Sequence, residues 1–310
     1  MLQCVAYSRV VLHGGQPKGS GVCKFNRNEL NKMKQKIIVD SCCDMTPELA
    51  ERLGISAVVP MSMMLGEKEY IDDENLDLSK FMEEMTACKE RVSTSAPPPN
   101  AFMEAIESAV SSFVVTISSQ LSATFENARI GQSFASENGV TDTHIIDSKS
   151  ASAGEVLVAI KLRELLAQGL SSDQIISSIE NFIGSMKTYF VLERYENLIK
   201  NGRLGKVKGK IVQLMNVKLI MGSDGEGAIA LHAKPRGIPQ MLDKMVSFVK
   251  GSEKTTTGES MVICHNNNLP LATQLSETFK RHFDFKEILI VPMRGAISLY
   301  ADNKGIVLAF

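Results

Sequence analysis

Residues 114–125 read VVTISSQLSATF, and the fold turns on how that stretch is read. Val114, Val115, Thr116 and Ile117 are β-branched and suit a buried strand. Hydroxyls follow at Ser118, Ser119, Ser122 and Thr124, and residues 123–139, ATFENARIGQSFASENG, have helical character up to Gly139. Strand, polar turn and helix in succession make half of a βαβ unit. The hydroxyls have two readings: they cap the helix, or they hold a polar group that arrives at the strand end.

The same succession recurs on both sides. KIIVD (36–40) is a short buried strand. MTPELAERLG (45–54) is a helix with Thr46 as N-cap, Pro47 at the first helical position, Glu48 in the first turn and Gly54 at the stop. ISAVVPMSMML (55–65) reads as a second strand, and THIIDS (143–148) as another. DLSKFMEEMTAC (77–88) is helical with Phe81, Met85 and Cys88 on one face. NAFMEAIESAVS (100–111), ASAGEVLVAIKLRELLAQG (151–169) and SSDQIISSIENFIGSM (171–186) are helical too. Strands alternating with helices predict a parallel sheet with helices on both faces.

After about residue 185 the texture changes. KTYFVLE (187–193), ESMVICHNNN (259–268) and KEILIVPMRG (286–295) read as strands, and residues 216–236 as strands joined by a Gly-rich hairpin. Residues 237–251 and 269–283 are helical. The expected class is therefore α/β in two domains: a parallel-sheet domain over 33–185 and a mixed α+β domain over 186–310. Residues 1–32 carry Gly, Pro and polar residues without a period. They read as an extension outside the fold, with Met33 placed like a natural start.

Composition narrows the function. The 310 residues are 44% hydrophobic and 22% charged with a net charge of −1, so no basic field draws the chain to nucleic acid or anionic lipid. Trp is absent and aromatics are 6%, which disfavours a base-stacking platform. The six Cys include no C-x-x-C pair, which fits reduced thiols in a cytoplasmic protein and neither a disulfide framework nor a zinc site. No apolar run approaches the roughly 20 residues of a membrane helix.

Ligands of open parallel sheets bind where strands end and helices begin. Polar clusters fall at four such points: VDSCCD (39–44), VSTSAPPPN (92–100), ISSQLSAT (117–124) and IDSKSASAG (146–154). They are expected on one edge of the sheet, where hydroxyls and free N–H groups make an anion nest. No G-x-S-x-G, Walker A or G-x-G-x-x-G motif is present, and Asp40 and Asp44 stand four apart, wider than a phosphatase-type pair. The five His show no metal spacing; His265 ends a buried strand.

Taken in order, IIVDSCCDMTPELAERLGI, STSAPPP, ISSQLSATFENA, IIDSKSASAGEV, YENLIKNGR, KPRG and CHNNN resemble the DegV proteins over about residues 34–310. These are fatty-acid-binding proteins that serve a bacterial fatty-acid kinase in phospholipid synthesis. The resemblance implies a non-catalytic carrier that buries one long-chain fatty acid between or within its domains, needs no cofactor or metal, and presents the carboxylate to the kinase, with transient membrane contact compatible. By motif, Thr94 and Ser119 would bind the carboxylate, with Ser118 and Ser122 beside them. His265 matches a strand-end His, and Arg203 an Arg near the kinase-docking surface.

The chain departs from the family pattern in several places. Pro98 stands where Ser or Ala is usual, Ala123 replaces Gly and Phe125 replaces Tyr. Near the end, Ala301, Asn303 and Lys304 replace a His and a G-P-G, keeping only Gly305. Two other readings stay open from the residues alone: an enzyme acting on a small phosphorylated or carboxylated metabolite through Asp40, Asp44 and Asp147, or a structural protein whose hydroxyls only cap helices. The excess of neutral hydroxyls over charges at the strand ends favours the carrier.

Overall fold

The computed structural model describes residues 35–107, 111–207, 209 and 218–310; the expected extension 1–32 lies outside them. The chain begins with β1 (Gln35–Asp40), α1 (Pro47–Leu53), β2 (Ile55–Val59), β3 (Ser62–Leu65) and β4 (Lys68–Ile71). It continues through α2 (Leu78–Ala87), β5 (Val92–Ser95), α3 (Pro99–Ile106), β6 (Ser111–Thr116), α4 (Thr124–Glu137), β7 (Thr143–Asp147), α5 (Ala153–Ala167) and α6 (Ser172–Ser185). β1, β2, β6 and β7 form a wholly parallel sheet in the order β2-β1-β6-β7.

The second half supplies β8 (Thr188–Val191), α7 (Glu196–Lys200), β9 (Ile220–Ser223), β10 (Ile229–Ala233), α8 (Gly237–Gly251) and β11 (Ser260–His265). It ends with α9 (Leu269–His282), β12 (Glu287–Pro292), α10 (Gly295–Ala301) and β13 (Ile306–Ala309). Its sheet is mixed, in the order β10-β9-β8-β13-β11-β12, with only β11 and β12 parallel. The architecture is α/β with a parallel sheet and a separate mixed sheet.

Local chemistry accounts for the helix ends. Thr46 Oγ1 accepts from the Leu49 N–H, Pro47 opens α1, and Gly54 closes it at φ 65°. Ser171 and Gln174 form a reciprocal capping box on α6. α5 is apolar on nearly every side because it packs on β1 and β6 of the parallel sheet and on β11 and β13 of the mixed one. One hydrophobic cluster therefore runs through both halves, from Ile37 and Phe113 through Leu162 to Val262 and Leu299.

Two expectations need correction. Residues 55–65 are two strands in different sheets, because Pro60, which lacks an N–H, falls between them. The polar cluster at 92–100 does not lie on the parallel sheet's edge. Its first residues are β5, in a small antiparallel sheet ordered β4-β3-β5 that meets α10 through β3 and β5. Three polar clusters sit at the ends of parallel strands, and the fourth is brought to them from another sheet. α7, α10 and β13 were not anticipated.

Candidate functional site: an apolar cavity with a polar end

A cavity of about 110 Å³ opens where the C-terminal ends of the parallel strands face β8 to β10 and α10. That is far more than the ~10–15 Å³ one water needs. Ile117, Leu121, Phe190, Leu192, Ile229 and Ile297 make much of its wall. Thr94, Ser122, Arg203 and Tyr300 give it polar groups. Among the described lining residues there is no Asp or Glu, and two are basic, Lys149 and Arg203.

Side-chain ties between elements gather these groups. Asn201 Nδ2 donates to Val92 O at 2.9 Å, fastening the turn that carries Arg203 to β5 and Thr94. Asn197 Nδ2 donates to Leu299 O at 2.7 Å, fastening α7 to α10 beside Tyr300. Asn127 Nδ2 donates to Pro97 O at 2.8 Å, bringing the start of α4 and Ser122 to the same segment. Thr94 Oγ1 lies 2.9 Å from Tyr300 Oη. Lys149 is paired with Glu226 on the β9–β10 hairpin, whereas Arg203 donates to Asn201 O and meets no carboxylate among the described residues.

The expected site residues divide. Thr94, Ser122 and Arg203 line the cavity. Ser118 is buried behind it: its hydroxyl donates to Gly227 O at 2.9 Å and accepts from the Gln120 N–H. Gly227 sits at φ 94°, and a Cβ there would lie 2.3 Å from Ser118 Oγ, so the hairpin can close on β6 only with glycine. Ser119 donates to Asp147 Oδ2 at 2.5 Å, and its N–H donates to Asp147 Oδ1; it neither lines the cavity nor caps α4. His265 also stands outside the lining. Its Nδ1 accepts from the Asn268 N–H, and burial lowers its basicity. Asn266 and Asn268 of that motif donate to the carbonyls of Asp302 and Lys304, holding the turn after α10.

The acidic residues of the enzyme reading are committed to structure. Asp40 accepts from the N–H groups of Cys42 and Ile117, each at 2.8 Å. Asp44 accepts from Ser152 Oγ and the Arg294 N–H. Asp147 accepts from Ser119 and from the Lys149 N–H. None lines the cavity. Burial pushes Asp40 up to about 6 and Asp44 up to about 7. Asp40, Cys42 and Glu155 bring potential ligand atoms within 4.8 Å of one another. Burial, however, pushes the Cys42 thiol and Glu155 well above their usual ranges. A neutral acid and a neutral thiol are poor cation ligands, and the group reads as buried neutral acids beside Cys42, which lines the cavity.

Sequence reasoning did not find Tyr300, Phe190, Leu192 or Ile229, which come from elements whose packing is long-range. The one signal for Tyr300 was its place beside Ala301, in the segment that departs from the family pattern.

The family model described as "Uncharacterised protein, DegV family" matches residues 34–310. The chain belongs to the DegV family. A DegV domain-containing protein of Streptococcus pneumoniae (strain ATCC BAA-255 / R6) is 31% identical over 280 residues, 90% of this chain and 99% of that one. Among solved structures, a DegV family protein of Ruminococcus gnavus ATCC 29149 with vaccenic acid superposes with a TM-score of 0.84 at 31% identity, covering 89% of this chain and 99% of its own. The Streptococcus pneumoniae Fatty Acid Kinase (Fak) B3 protein, loaded with linoleic acid, gives 0.82 at 31% identity, covering 90% and 99%. No helix among the described residues of this DegV protein is long and apolar enough to cross a membrane.

Proposed function

We propose that this DegV protein is a non-catalytic, cytoplasmic carrier of one long-chain fatty acid. The observation that carries the reading is the cavity's lining: apolar over most of its wall, with hydroxyls and two basic residues but no acid among the described residues. Such a site suits an anion with an apolar tail. Each CH₂ leaving water contributes about 0.8 kcal/mol, and the carboxylate keeps its charge at low cost only if donors replace water. Thr94 and Ser122 supply hydroxyl donors, and the Arg203 guanidinium, free of carboxylate partners among the described residues, supplies charge. Ser118 and Ser119 shape the wall through Gly227 and Asp147.

The similarity to the Streptococcus pneumoniae Fak B3 protein supports a further step, in which the bound acid is presented to a fatty-acid kinase. A carboxylate held at a polar cavity end, and not deep in the apolar wall, suits transfer of a phosphoryl group by a partner. Titration of delipidated protein with a long-chain acid and with the alkane of equal length tests the reading. Saturable binding of the acid, tighter than the alkane, is expected; equal binding of both would overturn the assignment of an anionic head group.

A further inference from the structure

Tyr300 has no role in the sequence reading, yet its hydroxyl is the polar group that α10 offers to the cavity. The next residue, Ala301, also lines the cavity and brings only a methyl. Tyr300 Oη lies 2.9 Å from Thr94 Oγ1, and either oxygen has the geometry to donate.

Both partners are held in place by backbone-directed ties. At the start of α10, the buried Asp72 carboxylate accepts from the N–H groups of Gly295 and Ala296 at 3.0 and 2.9 Å. At its end, Asn197 fixes the Leu299 carbonyl, one residue from Tyr300. β5 is fixed by pairing with β3, with Thr94 opposite Met63, and by Asn201 on the Val92 carbonyl. The hydroxyl pair therefore joins two elements far apart in sequence at one wall of the cavity.

A threonine hydroxyl has one proton and two lone pairs, and a phenol is the more acidic donor. When the phenol donates to Thr94 Oγ1, the threonine proton is left to point into the cavity. A chain of hydrogen bonds also polarises each member, which strengthens the last donor. We propose that Tyr300 is a positioning residue that acts through Thr94: it donates to Thr94 Oγ1 in the loaded protein and turns the threonine proton onto the ligand's head-group oxygen. The pair then selects for an ionised, acceptor-only head group over one that must also donate, such as an amide or alcohol. The inference rests on the fatty-acid reading and adds the residue that sets its head-group preference.

The test is a double-mutant cycle read with two ligands. Tyr300→Phe keeps the ring and removes the donor; thermal melts of the unliganded proteins check that the fold is retained. Affinities for a long-chain acid and for the alcohol of the same length are measured on wild type, Tyr300→Phe, Thr94→Val and the double variant. Tyr300→Phe should weaken the acid about tenfold and the alcohol much less, and the double variant should lose no more than Thr94→Val alone. Losses that multiply, or an acid-to-alcohol ratio unchanged by Tyr300→Phe, would overturn the role. Carboxyl-¹³C NMR of labelled acid gives a second readout that packing alone does not move. The bound carboxyl should titrate at higher pH in Tyr300→Phe than in wild type, and identical titrations would count against the proposal. If wild type binds no acid at all, it is the carrier reading that fails; if wild type binds acid and the cycle is additive, only the role of Tyr300 fails.

Discussion

Glu155 is the most exposing test of how the core is built. It lies in the first turn of α5, fully buried, with neither carboxyl oxygen meeting a hydrogen-bond donor among the described residues. Burial is the first cause of its raised pKa, and the charges of Asp40 and Asp44 add to it. Cys42, Cys43 and Cys264 face the same cluster as neutral thiols, and Asp72 and Arg294 lie at its margin. A group whose folded pKa is raised contributes stability that is complete below its unfolded pKa and is lost as pH rises through the folded value. Asp40 moves from 3.8 to about 6 and Asp44 from 3.8 to about 7, so stability should fall between about pH 4 and 7. Glu155, held well above the usual carboxylate range by burial, adds to the same fall. Each group contributes at most about 1.4 kcal/mol per pH unit. Coupling between Asp40 and Glu155 keeps the sum lower, on the order of 3 kcal/mol from pH 5 to 8. His232 and His265, made less basic by burial, act in the opposite direction at the acid end of this window in wild type and variant alike, and the Lys68–Glu84 pair does so below it, because Glu84 is lowered. Urea unfolding of wild type and Glu155→Gln across pH 5 to 8 measures it. Gln keeps the shape, stays neutral and gives Asp40 a donor. The variant should match wild type near pH 5, exceed it by about 1–3 kcal/mol at pH 8, and show a shallower slope. Parallel pH profiles, or a wild type whose stability rises over this range, would refute the neutral-acid account.

Thr94→Val should weaken fatty-acid binding about tenfold or more, the loss of a hydrogen bond to a charged group at about 1.5–3 kcal/mol, with the fold retained; calorimetric titration checks it. Gly227→Ala should destabilise by about 2–4 kcal/mol, since it strains a φ of 94° and drives a methyl against Ser118 Oγ; denaturant unfolding reads the change. Ser119→Ala should cost about 1–3 kcal/mol of stability, by leaving Asp147 short of a donor, and little acid affinity; paired melts and titrations separate the two. Arg203→Ala should reduce phosphorylation of the bound acid by a kinase partner by more than it reduces acid binding, because a charge at the cavity's polar end serves both the head group and the approaching partner; phosphorylation at saturating acid isolates that effect.

The parallel sheet was legible because its signals are local. The β-branched run 114–117 and the Thr46–Pro47–Gly54 frame of α1 are each written within a few residues. The mixed sheet was only partly legible. β13 comes from the last residues of the chain and inserts antiparallel between β8 and β11, a pairing that no local pattern announces. The small sheet was missed for the same reason: β5 looks like a polar turn until β3 pairs with it. Thr94, Ser122 and Arg203, singled out through motifs, line the cavity. That Ser119 bonds to Asp147 and Ser118 to Gly227 was not legible, because those partners lie 28 and 109 residues away in sequence. Tyr300 became visible only when α10 was placed against β5.

Native mass spectrometry of the purified protein, followed by solvent extraction and analysis of what is released, asks whether the cavity holds a long-chain fatty acid. A mass excess of one long-chain acid per chain is expected, lost on extraction, restored by adding free acid, and reduced in Thr94→Val. A protein that runs at its bare mass, and that takes up no acid when offered it, would show that the cavity is not a fatty-acid site.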